Sequence, residues 1–90
     1  MTTLSIELNR YLTIRRSLGH SLRTSEGMLK RFAAFLDRRG AELITTDSFL
    51  QWKVSYGSAT RNTWAARLSM VRLFAQWMHA IDPRHEVPAK

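Results

Sequence analysis

The sequence predicts an all-α fold, a compact four-helix bundle. Three observations carry that expectation. Apolar residues recur at three- and four-residue spacings through most of the chain. Turn signals at Gly19-His20-Ser21, Gly40, Tyr56-Gly57-Ser58 and Asp82-Pro83 cut it into four segments. Ninety residues, 44% of them hydrophobic, suffice for one small core and one domain. No repeat and no low-complexity stretch interrupts the pattern.

The first segment runs from about Thr3 to Leu18. Leu4, Leu8, Tyr11, Leu12 and Leu18 form its apolar stripe, Thr3 caps its start, and Gly19 suits a left-handed end. Arg15 falls inside the stripe and reads as a snorkelling or ion-paired side chain. The second segment spans about Ser25 to Arg39, with Thr24 as N-cap and Gly40 just past the end. Met28, Leu29, Phe32, Phe35 and Leu36 make its buried face, and Arg23, Lys30, Arg31 and Arg38 lie opposite. Glu26 and Lys30 are an i,i+4 pair in the favourable order.

The third segment is shorter, about Asp47 to Tyr56, capped by Thr46 or Asp47. Phe49, Leu50, Trp52, Val54 and Tyr56 are too many for one narrow stripe, which predicts a helix held on two sides. The fourth runs from about Thr60 to Ile81. Trp64, Leu68, Val71, Ala75 and Met78 recur at helical spacing, and Met70, Leu73, Phe74, Trp77 and Ile81 widen the arc. Only Arg61, Ser69, Arg72, Gln76 and His79 keep a strip polar, so this helix reads as central and its Trp and Met residues as core. Thr63 and Arg67 sit in the arc near the helix start. Either Arg67 meets an acid there, or that end is open to a ligand.

Composition excludes several chemistries. Without cysteine there is no disulfide, thiolate nucleophile or Cys-ligated zinc. His20, His79 and His85 match no metal-ligand spacing and read as solvated or capping residues. There is no G-x-S-x-G and no P-loop, and the seven carboxylates are scattered. No cofactor or metal and no small-molecule substrate is expected. The start Met-Thr-Thr-Leu-Ser has no basic head before an apolar run, and no stretch nears the roughly 20 apolar residues that span a bilayer. The expectation is a cytoplasmic protein with no membrane partner.

Charge supplies the positive clue. Fourteen Lys and Arg against seven Asp and Glu leave a net +7, and eleven of the cations are arginine. Arginine's planar fork suits phosphate and guanine edges. Residues 1–40 hold eight cations and three anions, residues 41–59 one and two, and residues 60–90 five and two. Two basic blocks therefore flank a nearly neutral middle, a balance that fits a polyanionic partner and, equally on charge alone, a merely soluble basic surface.

Two stretches then carry a family resemblance: Thr24-Ser-Glu-Gly-Met28-Leu-Lys-Arg-Phe32-Ala-Ala-Phe35-Leu36, and Ser58-Ala-Thr-Arg-Asn-Thr63-Trp-Ala-Ala-Arg67-Leu68-Ser69-Met-Val-Arg72-Leu-Phe74-Ala-Gln-Trp77-Met78. Together with Ile44-Thr45, Asp82-Pro83 and Val87-Pro88, they resemble the SAM-like core-binding domain at the N-terminus of tyrosine recombinases and phage integrases. The resemblance covers about Leu4 to Lys90. It implies a four-helix domain over 1–81 that clamps duplex DNA through its second and fourth helices, followed by a linker over 82–90 toward an absent catalytic domain.

By the same resemblance Thr24, Gly27, Lys30 and Arg31 face DNA from the second helix, and Arg61, Asn62, Thr63 and Arg67 from the fourth. Ala66 departs from the basic or polar residue common in the family at that position. The family's catalytic arginines, lysine, histidines and nucleophilic tyrosine have no match, and Tyr11 and Tyr56 are not candidates for the last. The expected function is therefore a non-catalytic, double-stranded-DNA-binding part of a site-specific recombinase, free to self-associate through exposed apolar surface. The alternative is a helical protein-interaction module of SAM-like type, since such bundles also bind proteins. A helix-turn-helix regulator ranks last, because no tight helix–turn–recognition-helix pair is visible.

Overall fold

The computed structural model describes residues 3–17, 23–57 and 59–88. Four helices account for most of them, and no strand occurs among the described residues: α1 (Thr3–Ser17), α2 (Arg23–Arg38), α3 (Thr46–Tyr56) and α4 (Arg61–Ile81). The all-α expectation with four helices holds. The chain divides into two compact units, one built on α1 and α2, the other beginning at Leu43 and built on α3, α4 and the segment after α4.

In the first unit the expected stripes are the buried ones. Leu4, Leu8, Tyr11 and Leu12 are buried on α1, and Met28, Leu29, Phe32, Ala33, Phe35 and Leu36 on α2. Leu18 and Gly19 lie outside the described residues, as does His20. The Ser5 hydroxyl donates to the Asp37 carboxylate, joining the start of α1 to the end of α2. Arg16 pairs with Glu26, joining the end of α1 to the start of α2. Both links together require the two helices to run antiparallel.

The ends of α2 correct one expectation and match another. Thr24 does not precede the helix; it lies in the first turn, one residue after the helix starts at Arg23. At the other end Gly40 adopts φ +71°, its N–H donates to the Asp37 carbonyl (3.0 Å), and the Ala41 N–H reaches back to Leu36 (3.0 Å). That pair of bonds is the Schellman arrangement, which satisfies carbonyls the helix would leave open. Arg15 is half-buried with its guanidinium 5.8 Å from the Tyr11 ring centre. Burial pushes the Tyr11 hydroxyl up from its ordinary pKa, and Arg15 opposes that shift.

In the second unit α3 is capped one residue earlier than expected. Thr45, not Thr46 or Asp47, is extended (φ −131°, ψ 158°) and accepts from the Ser48 N–H at 3.0 Å. Ser48 Oγ accepts from the Thr45 N–H in return, also at 3.0 Å. The reciprocal pair satisfies two otherwise orphaned donors, which is why the cap sits at Thr45. Thr60 caps α4 in the same way, its hydroxyl accepting from the Thr63 N–H at 3.2 Å.

The expectation that α3 is held on two sides fails. Phe49 and Trp52 are buried, but Leu50 is 50% and Val54 83% exposed. The reason is helical angle: Phe49, Trp52 and Tyr56 follow 3-4 spacing and take one face, whereas Leu50 and Val54 are four apart on another. On α4, Trp64, Val71, Phe74, Ala75 and Met78 are buried, whereas Leu73 and Ile81 stay about half exposed. The apolar arc is thus narrower than its composition suggests.

The segment after α4 is a further correction. Residues 82–88 were expected to run as an extended linker with a solvated His85. Instead His85 is buried, at 4% exposure. Its Nδ1 accepts from the Ile44 N–H at 3.0 Å. The Glu86 N–H donates to the Ile44 carbonyl (2.7 Å), and a Glu86 carboxylate oxygen accepts from the Thr46 N–H (2.9 Å). Arg72 donates to the Pro88 carbonyl, and Pro88 is fully buried. The segment therefore straps onto the chain entering α3, because the entry leaves backbone groups for it to satisfy.

Candidate nucleic-acid interface

The residues expected to face DNA fall into two sets, one in each unit. On α2, Gly27, Lys30 and Arg31 are all exposed. The side chain of Thr24 is outside the described structure. Gly27 is open: a Cβ placed there would meet nothing within 4 Å. Lys30 Nζ lies 2.9 Å from Glu26, which also holds Arg16. These two cations, Arg16 first, keep the Glu26 carboxyl far below the usual carboxylate range, at about 2. Lys30 is thus tethered but solvent-facing, and a surface ion pair of this kind yields readily to a phosphate.

On α4, Arg61, Asn62, Thr63 and Arg67 occupy the first two turns. Arg61 and Asn62 are exposed, and Thr63 is half-buried. The Thr63 hydroxyl is 2.9 Å from that of Thr60. Capping therefore fixes the backbone here, so that the polar side chains of this turn project from a rigid start.

Arg67 answers the question its sequence position raised. It has no acid partner among the described residues. Its guanidinium lies over two rings instead, 4.3 Å from the centre of Tyr56 and 4.7 Å from that of Trp64. Its Nη1 is enclosed and has no hydrogen-bond partner. The two rings are themselves edge-to-face, 5.8 Å apart, and Trp52 meets each of them similarly. Lys53 reaches over Trp64 as well, at 5.7 Å. Cation–ring attraction of this kind is worth about 0.5–2 kcal/mol, rising as water is excluded.

Beside this stack an open groove of about 880 Å³ lies between α3 and the start of α4. Leu50, Val54, Ala65 and Leu68 line it with Trp64, and Lys53 and Arg61 are its charged residues. No acidic side chain lines it. The second unit thus gathers three cations, Lys53, Arg61 and Arg67, around Trp64 and the start of α4.

Sequence reasoning missed Lys53 and the role of Tyr56. Trp64 and Arg67 are three apart on one helix, so their contact was legible. Tyr56 and Lys53 reach the same place across the α3–α4 connection, which no periodicity reports. Other arginines are spent locally. Arg10 pairs with Glu7 at 3.1 Å, and Arg39 lies over Phe35 at 5.1 Å. Arg84 binds Asp82 at 2.7 Å, and its side-chain and backbone hydrogen bonds hold that carboxyl down at about 2.

Among the described residues, no three His, Cys, Asp or Glu side chains gather to hold a metal ion. No helix among them is long and apolar enough to cross a membrane. No family model matches the chain. No solved structure matches it. Among curated proteins it is similar to one of Sinorhizobium fredii to which the name integrase/recombinase y4rB is given, with 40% identity over 88 residues. That alignment takes in 98% of this chain and 28% of the relative, so the chain spans under a third of the relative's length. The likeness to that integrase/recombinase relative, at 40% identity, runs along almost the whole of this chain.

Proposed function

We propose that this chain is the DNA-binding, core-binding part of a site-specific tyrosine recombinase, and that it holds duplex DNA without cutting it. The observation that carries the reading is the cationic start of α4, where Arg61 and Arg67 stand with Lys53 about an aromatic cluster and no acid lines the adjoining groove. The exposed Lys30 and Arg31 on α2 supply the second contact set. Phosphate contacts from these cations set affinity, and Arg67 or Lys30 reads base edges where it reaches them. Cleavage belongs to a separate catalytic domain, toward which residues 82–90 lead. We place the parent protein in the cytoplasm.

Fluorescence anisotropy with a labelled duplex at two salt concentrations tests this directly. Binding is expected to weaken steeply with salt. Arg67→Ala and Lys30→Ala are expected to weaken binding, by about 5- to 150-fold for a side chain that reads a base and with a salt slope lower by about one for a phosphate contact. Circular dichroism should report an intact helical fold in both. Unchanged affinity in the double variant removes the assigned faces.

One observation favours a second reading, a helical protein-interaction module. Leu50 and Val54 are exposed on one face of α3. Exposed apolar residues that line a groove are typical of protein contacts, including self-association. Absence of DNA binding even at low salt selects this reading.

A further inference from the structure

We infer that Tyr56 and Trp64 form an aromatic clamp that presents the Arg67 guanidinium to a pair of hydrogen-bond acceptors on DNA, so that Tyr56 is a positioning residue for the interface although it stands on α3. The inference rests on the DNA-binding reading above and adds to it how the key arginine is held.

Three features of Arg67 call for an explanation. It is a cation with no acid partner among the described residues, a trait it shares with Arg15, Lys53, Arg61 and Arg72. It is half-buried, with Nη1 enclosed and unpartnered. It sits in the corner made by two edge-to-face rings, each centred within 5 Å of its central carbon. Partial burial of a charge without a counter-ion is unfavourable, and ring faces offset it only in part. The enclosed Nη1 is closed to a ligand, so oxygen acceptors from outside complete the site at the other guanidinium nitrogens.

The stack also prepares the side chain. A free arginine loses rotamer freedom when it binds. Here the rings limit that freedom before any ligand arrives, so less is lost on association. The planar fork keeps its orientation, and two acceptors in one plane fit it: two phosphate oxygens, or O6 and N7 of guanine. Tyr56 can do this because it is fixed in turn. Its ring packs on Trp52 at 5.1 Å, and α3 ends at Gly57 (φ +112°), just after it.

The test compares duplex binding by Tyr56→Leu, Tyr56→Phe, Arg67→Ala, Arg67→Lys and the Tyr56→Leu/Arg67→Ala double variant. Removing the ring face is expected to weaken binding about 3- to 30-fold. Tyr56→Phe keeps the face and should stay within about twofold of the parent. The double variant should bind no more weakly than Arg67→Ala, since the clamp acts only through that arginine. Arg67→Lys keeps the charge but loses the fork and should fall nearly as far as Arg67→Ala, which holds even where Tyr56→Leu fails to fold.

A uniform loss across duplex sequences with a lower salt slope identifies phosphate as the acceptor; a loss confined to one G·C step identifies guanine. Arg67→Lys binding like the parent, or Tyr56→Leu adding its loss to that of Arg67→Ala, overturns the clamp while leaving DNA binding in place. A parent chain that binds no duplex at low salt overturns the DNA-binding reading itself.

Discussion

Two glycines on and just past α2 look alike in sequence and do different work. Gly40 takes φ +71°, where a side chain is strained. Gly40→Ala is expected to cost about 1 kcal/mol, lowering the melting temperature by several degrees. Gly27 lies mid-helix without positive φ, and a Cβ there meets nothing. Glycine inside a helix is about 1 kcal/mol worse than alanine, so Gly27→Ala should raise the melting temperature. The same variant should weaken DNA binding where the duplex approaches that bare backbone. Higher stability together with unchanged affinity would take Gly27 off the interface. Gly40 was legible as a helix end; the openness around Gly27 was not, because nothing local reports what surrounds an exposed position.

Among the elements, the segment after α4 departs most from its sequence reading. Pro83 and Pro88 suggested an extended tail, yet residues 82–88 strap onto the entrance to α3. The contact that decides it is His85, whose Nδ1 accepts from a backbone N–H of a residue 41 positions away. His79 completes the corner, its Nδ1–H donating to the His85 carbonyl at 2.8 Å. His85→Phe preserves bulk but strands the Ile44 N–H, with an expected cost of about 1–3 kcal/mol. Hydrogen exchange at the Ile44 amide should accelerate selectively. An unchanged rate there would show that the strap does not depend on the imidazole. α3 shows the complementary case: its cap was off by one residue, because Thr45, Thr46 and Asp47 are all competent caps and only backbone angles choose among them.

For the molecule as a whole, charge shapes the response to acid. Glu26 in the first unit and Asp82 in the second each have a carboxyl held at about 2 by arginine. A carboxylate whose folded pKa lies below its unfolded value of about 4 stabilises the fold at pH above that unfolded value. The contribution then fades as pH falls from about 4.5 toward 2. Melting temperature is therefore expected to decline across that window and to be flat just above it. Both groups border solvent, so 0.5 M salt should flatten the decline. Glu26→Gln and Asp82→Asn should each remove part of it. A profile unaffected by both substitutions would assign acid sensitivity elsewhere.

The sequence by itself determined the four helices, the buried stripes of α1 and α2, the glycine end of α2 and the basic balance. Those follow from contacts three or four residues apart and from composition, which any short window contains. The tertiary structure alone decided that Tyr56 and Lys53 join Trp64, that Leu50 and Val54 stay exposed, and that His85 is buried. Each of these depends on which residues distant in sequence come to lie side by side, and local spacing carries no record of that.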